Sequence, residues 1–238
     1  MPDSAALPVF AVDAVAFDLD GTLLDTVHDL AAAVNAWLAE QALATLPTAT
    51  IRDLVGKGIE HLLGAALTLV GAPARDTATF HAQVARYQAI YGDLLGRESV
   101  LFPGVTEGLA RLQADGFLLA VITNKATRFV APHLELAGIA GYFDTIVGGD
   151  DAVRKKPDAA PMHLCASRLG VAPGRLLMVG DSGNDVAAAR AAGCPVLVVP
   201  YGYREGLPVQ NLSADGIVDS FVELALRVRR PPDTSVPT

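Results

Sequence analysis

Five short runs of almost unbroken apolar residues limit what this chain can fold into: Ala14–Phe17, Phe117–Ile122, Thr145–Val147, Leu176–Val179 and Val196–Val199. None alternates polar with apolar, so a strand built from one would expose neither face to water. Such strands belong in a parallel sheet covered by helices on both sides. Helical spacing follows at about 105–115, 128–137, 160–169, 186–192 and 219–229. The rhythm predicts an α/β fold: a doubly wound, mostly parallel, Rossmann-like sheet with right-handed crossovers. Apolar residues make up 51% of the chain, enough to cover both faces.

One stretch breaks the rhythm. From Asp25 to Gly96 no strand pattern occurs, only helical segments near 27–42, 50–55, 59–70 and 74–94. Trp37 shares an apolar face with Leu30, Val34 and Leu38, so it is expected in a core. An insertion after the first strand sits above the C-terminal edge of the sheet, where open α/β sheets bind ligands. The expected organisation is therefore a catalytic core of residues 12–24 and 97–230 with a helical cap of residues 25–96. Residues 1–11 and 231–238, rich in Pro, Ser, Thr and Asp, are expected to fray.

Polar clusters stand at the ends of the runs. The first supplies Asp18 and Asp20, which leave on one side of the chain because a strand repeats every two residues. The second ends in Thr123-Asn124-Lys125, the third leads to Gly148-Gly149-Asp150-Asp151 and Lys155-Lys156-Pro157, and the fourth ends in Gly180-Asp181-Ser182-Gly183-Asn184-Asp185. In a parallel sheet all four lie at one edge and can converge. Two carboxylates held close repel unless a cation or a proton compensates. An aspartate beside a divalent metal can attack phosphorus, while a second donates and later removes a proton. A hydroxyl and a lysine can hold the phosphoryl oxygens, and oxygen-rich ligation suits Mg2+.

The net charge of −8 and the lack of a basic stripe with aromatics speak against nucleic acid as a partner. A small anionic phosphate ester remains compatible, because a local metal and a lysine can overrule the global field. No run approaches a membrane span and no signal core opens the chain, so a cytoplasmic protein is expected. Cys165 and Cys194 lack ligand spacing and read as buried free thiols. Monomer and homodimer remain open.

These motifs resemble the haloacid dehalogenase-like hydrolase superfamily, and within it the phosphoglycolate phosphatases. The resemblance runs from about residue 12 to 228 and rests on DLDGT at 18–22, Thr123 with Asn124-Lys125, Lys156-Pro157-Asp158, and GDSGND at 180–185. Gly193-Cys194-Pro195 and Tyr201-Gly202-Tyr203 are similar to the phosphoglycolate branch. The resemblance implies that Asp18 is the phosphorylated nucleophile and Asp20 the general acid/base, with Asp20 also offering Mg2+ its backbone carbonyl. It implies that Thr123 binds phosphate, Lys156 anchors it, Asp18 and Asp181 ligate the metal, and Asp185 orders either the metal's waters or the lysine. Ala159 departs from the proline of many relatives, a change expected to alter loop stiffness more than chemistry. The implied reaction is Mg2+-dependent hydrolysis of 2-phosphoglycolate through an aspartyl-phosphate. The alternative is a phosphatase or phosphomutase for another small phosphorylated metabolite.

Asn124 and Lys57 are candidate substrate-binding residues. Lys57 lies between two glycines that allow a sharp turn towards the site, and it also raises the Schiff-base chemistry of the phosphonatase branch. Thr22 fits either a contact in the nucleophile loop or a turn, and Arg128 either a substrate carboxylate or a surface salt bridge. Asp25 fits a cap hinge. A phosphorylation-dependent signalling module is the non-enzymatic alternative, disfavoured by Asp20 and by the insertion.

Overall fold

The computed structural model describes residues 8–73, 76–204 and 206–232. Its strands are β1 (Phe10–Ala11), β2 (Ala14–Phe17), β3 (Leu24–Asp25), β4 (Val100–Leu101), β5 (Leu118–Ile122), β6 (Thr145–Val147), β7 (Leu176–Gly180), β8 (Val196–Val198), β9 (Gly216–Ile217) and β10 (Val228–Arg229). The cap helices are α1 (Val27–Ala39), α2 (Thr48–Arg52), α3 (Ile59–Leu69) and α4 (Thr77–Leu94). The core helices are α5 (Val105–Ala114), α6 (Thr127–Leu136), α7 (Ala160–Leu169), α8 (Gly183–Ala192) and α9 (Phe221–Leu226).

The central sheet is parallel throughout, in the order β6-β5-β2-β7-β8-β9. Counted along the chain, its strands run 3-2-1-4-5-6, and the order reverses between β2 and β7. Ligands of open α/β sheets bind at such a reversal, beyond the carboxyl ends of the strands. Side chains leave the strands alternately to two apolar clusters. Val15, Phe17, Leu119, Val121, Leu177 and Val179 face Leu109, Leu134 and Phe221. Ala14, Ala16, Ala120, Ile122 and Met178 face Met162, Ala188 and Ala189. The continuous apolar runs are thus buried on both faces, and Cys165 and Cys194 are free and buried on the second.

Short strands depart from the expectations. β9 adds a sixth strand to the sheet, β1 pairs with β10, and β3 pairs antiparallel with β4 at the base of the cap. Each has two residues, too few to carry a period. Phe10–Ala11 is therefore paired where fraying was expected, and the helix expected to reach 229 ends at Leu226 before β10. Residues 1–7, 74–75 and 233–238, which include parts of the expected frayed ends and the start of the expected 74–94 helix, lie outside the described residues.

The cap helices share a third cluster. Trp37 is buried there with Val34, Leu38, Leu63, Tyr87 and Tyr91, together with Phe129 and Tyr203 from the core. Asp76 caps α4 by accepting a hydrogen bond from Thr79 N at 3.0 Å. Asp29, buried in α1, accepts from Gly96 N at 2.9 Å and Glu98 N at 2.7 Å, fastening the outgoing linker to the first cap helix. Among the described residues no helix is long and apolar enough to cross a membrane.

Candidate active site

The end of β2 delivers Asp18 to the reversal point, and the end of β7 delivers Asp181. Asp18, Asp181 and Asp185 are buried, and their carboxylate oxygens lie within 4.8 Å of one another. Close packing of the chain makes this possible. Gly180 touches Asp185 so tightly that a Cβ would sit 2.3 Å from its Cγ. Gly21 takes φ +90°, a region open mainly to glycine, and a Cβ there would lie 2.5 Å from Asp181 Oδ2. The Asp181 carboxylate accepts hydrogen bonds from Thr22 Oγ1 at 3.0 Å and from Tyr203 N. Thr22 is thus fully buried and holds an acid in place.

Lys156 lies among these acids. Its ammonium donates to Asp185 Oδ1 at 2.6 Å and Ile122 O at 2.7 Å, and sits 3.0 Å from Asp18 Oδ1. Those contacts use its three donors, so its position is fixed. Burial works against its charge, but Asp18 and Asp185 outweigh that and raise its proton affinity. Asp185 also accepts from Ser182 N at 3.0 Å and Ser182 Oγ at 2.7 Å, in a capping box that starts α8. Asp185 thus contacts the lysine directly.

Burial pushes the Asp18 carboxyl up to about 6; Lys156 opposes the shift, and Asp185 and Asp20 add to it. Burial, then the charges of Asp185 and Asp18, raises Asp181 well above the usual carboxylate range. Fully ionised, three carboxylates around one ammonium would carry two excess negative charges, the charge a divalent cation offsets. The all-oxygen donor set and the acidic charge fit a hard divalent cation. Asp185 joins this cluster through its side chain, whereas the side chain of Asp20 does not.

Asp20 instead pairs with Lys125, whose Nζ lies 2.9 Å from Oδ1 and 3.3 Å from Oδ2. Burial raises the Asp20 pKa, but Lys125 outweighs it and the net shift is downward. Lys125 also bonds the hydroxyl of Tyr91, on cap helix α4, at 2.5 Å. A cavity of about 50 Å³, room for a few water-sized atoms, lies above Asp18, Asp20, Thr123 and Lys125. The cap closes it with Val55, Gly56, Gly58, Ile59, Leu62, Tyr87 and Tyr91.

Thr123 is buried in the cavity wall, and its Oγ1 accepts from Lys125 N at 3.2 Å. The Asn124 amide donates to Gly56 O at 2.8 Å and Lys156 O at 2.9 Å, so it joins the cap turn to the lysine loop. Gly56 and Gly58, at φ +119° and +88°, form that turn. Lys57 between them is half-buried and lines an adjoining open cleft of about 950 Å³ with His61, Lys155, Lys156 and Asn184. Lys155 is part-exposed, 3.5 Å from Glu60. Arg128 is exposed over the Phe129 ring, away from the cavity.

Four further residues belong to the arrangement. Lys125 stood in a polar cluster but carried no assigned role. Tyr87 and Tyr91, four apart on one helix, were visible only as a helix face. The Tyr203 hydroxyl accepts from Thr26 N at 2.7 Å and Val27 N at 3.0 Å and donates to Asp25 at 2.5 Å, which ties the start of α1 to the core. Nothing in the sequence links residue 203 to residue 26.

A sequence model of the family described as haloacid dehalogenase-like hydrolase matches residues 15–199. The chain is 45% identical over 221 residues to a phosphoglycolate phosphatase of Nitrosospira multiformis, covering 92% of this chain and 96% of the relative. It is 43% identical over 219 residues to one of Thiobacillus denitrificans, with the same coverage. Among solved structures, that of a predicted phosphoglycolate phosphatase from Haemophilus somnus superposes with a TM-score of 0.83 at 33% identity, covering 90% of this chain and 96% of that one.

Proposed function

Because the chain belongs to the haloacid dehalogenase-like hydrolase family, we propose that it is a phosphatase hydrolysing 2-phosphoglycolate to glycolate and phosphate, with Mg2+ as cofactor. The observation that carries this reading is Asp18, fixed at the sheet reversal beside Lys156 and within the acidic cluster. The names of relatives sharing over 40% identity across most of their length support the substrate. A small cavity directly over Asp18 and Asp20 is in keeping with a small leaving group. The division into a core of residues 12–24 and 97–230 and a mobile cap of 25–96 is part of the same reading.

One Asp18 oxygen is held by Leu19 N at 2.8 Å and by Lys156, which presents the other to phosphorus. Attack forms the Asp18 O–P bond as the bond to the glycolate oxygen breaks, and Asp20 gives that oxygen its proton. Asp20 then takes a proton from water, which attacks phosphorus, releases phosphate and restores Asp18. Negative charge entering the cavity favours a protonated Asp20 for the first step, and the Lys125 pairing favours the carboxylate for the second. Thr123 Oγ1 and the Lys156 charge stabilise the phosphoryl oxygens. Asp18, Asp181 and the Asp20 carbonyl would hold Mg2+, with Asp185 steadying Lys156; the ion supplies charge neutralisation of the phosphoryl group. Asn124 keeps the cap turn over the phosphate, and Lys57 attracts the anion from the adjoining cleft.

The test is a purified-protein assay of 2-phosphoglycolate against ethyl phosphate and sugar phosphates, with Mg2+ and with chelator. A marked kcat/KM preference for 2-phosphoglycolate that needs Mg2+ is expected. Preference for a sugar phosphate, admitted through the larger cleft, would replace the substrate and keep the chemistry.

A further inference from the structure

We propose that the cap end of the cavity is a carboxylate subsite, in which the Tyr87 hydroxyl and the Lys125 ammonium receive the negatively charged end of the leaving group. The inference rests on the phosphoglycolate reading and names the residues that would select that substrate.

Tyr87 is fully buried, it lines the cavity, and its hydroxyl bonds no protein group among the described residues. A buried hydroxyl left unpaired costs about 1–3 kcal/mol, so this one is suited to a ligand acceptor. The ring cannot turn away. It stacks on Tyr91 with centroids 6.0 Å apart and planes 4° from parallel, and it meets Trp37 edge-on at 6.5 Å. Burial also raises its pKa well above the ordinary phenol value, which keeps it a donor.

Lys125 lines the same cavity and brings the positive charge. Tyr91 and Asp20 hold it in place, and its two contacts to Asp20 can share one proton, which leaves a donor for a second anion. Of the other cap side chains at the cavity, Val55, Ile59 and Leu62 are apolar and Tyr91 is bonded to Lys125, while Gly56 and Gly58 offer backbone alone. With the phosphoryl group at Asp18 and Thr123, the polar side chains left at the cap end are those of Tyr87, Tyr91 and Lys125. A neutral leaving group of similar size would leave the Tyr87 hydroxyl unpaired, and sites of that kind discriminate strongly.

The test measures kcat/KM for 2-phosphoglycolate and for ethyl phosphate, which lacks the carboxylate, in wild type and Tyr87→Phe. Phenylalanine keeps the ring packing and removes the donor. The ratio of the two values should fall about 10- to 100-fold, as expected for a hydrogen bond to a charged group. If Tyr87→Phe does not fold, Lys125→Met carries the same ratio test and should lower it as far. A wild-type enzyme that prefers 2-phosphoglycolate, with the variant ratio within about twofold of it, overturns the subsite and leaves the substrate standing. A wild-type enzyme without that preference overturns both.

Discussion

At the scale of single residues, charge balance decides behaviour. On the proposed mechanism Asp18→Asn keeps the shape of the nucleophile but cannot form the phosphoenzyme, and turnover should drop at least about 10³-fold. Asp20→Asn should slow both proton transfers and leave Mg2+ affinity close to wild type, since its side chain faces Lys125 and not the acidic cluster. Rapid-quench kinetics with radiolabelled phosphate check both; phosphoenzyme in Asp18→Asn would contradict the assignment. His133 offers a pH test. It is buried, both ring nitrogens lack a partner among the described residues, and burial then Lys125 push its pKa down to about 4, while Asp20 and Asp29 pull the other way. Between pH 6.5 and 4 the unfolded chain takes up a proton that the folded chain refuses, so stability falls as pH falls through that window. The loss from this residue approaches about 3 kcal/mol. Urea titrations at stepped pH should show a shallower acid loss in His133→Leu; parallel curves would remove His133 from the account.

At the scale of elements, the cap is fastened to the core at its ends and over the site. No side chain of Thr26 caps α1; the hydroxyl of Tyr203 serves its first amides instead. Tyr203→Phe leaves the Thr26 amide unpaired and the Val27 amide with only its 3.4 Å bond to Asp25, and should cost about 1–3 kcal/mol. Because the loosened joint is where the chain enters the cap, hydrogen exchange should accelerate at residues 25–30 before it does so in β2 or β7. Uniform acceleration across the sheet would show that Tyr203 stabilises the whole fold and not this joint. Such joints explain why the short pairs β3–β4 and β1–β10 escaped detection in the sequence. Two residues carry no periodicity, and their pairing is set by elements already packed around them.

At the scale of the whole molecule, excess negative charge at the sheet edge couples cation binding to stability. A divalent ion at about a hundred times its dissociation constant adds about 2.7 kcal/mol, or roughly 5–10 °C in Tm for a chain of this size. Thermal denaturation with Mg2+ against chelator should show that shift in wild type and lose it in Asp181→Asn. The shift should shrink as pH falls through about 6, where protons compete for Asp18. An equal shift in Asp181→Asn would place the stabilising ion elsewhere.

The sequence by itself determined the sheet, the helical insertion after its first strand and the convergence of Asp18, Thr123, Lys156 and Asp181. Continuous apolar runs have one stable home, and polar clusters at their ends share one edge of it. Tertiary structure alone decided which partner each polar group takes. It gave Asp20 to Lys125, spent the Asn124 amide on Gly56 and Lys156, put Lys57 in the outer cleft, and placed Tyr87 in the cavity wall with its hydroxyl unpartnered among the described residues. Those pairings depend on angles between elements and on contacts between residues 32 to 105 positions apart, and no local period encodes either.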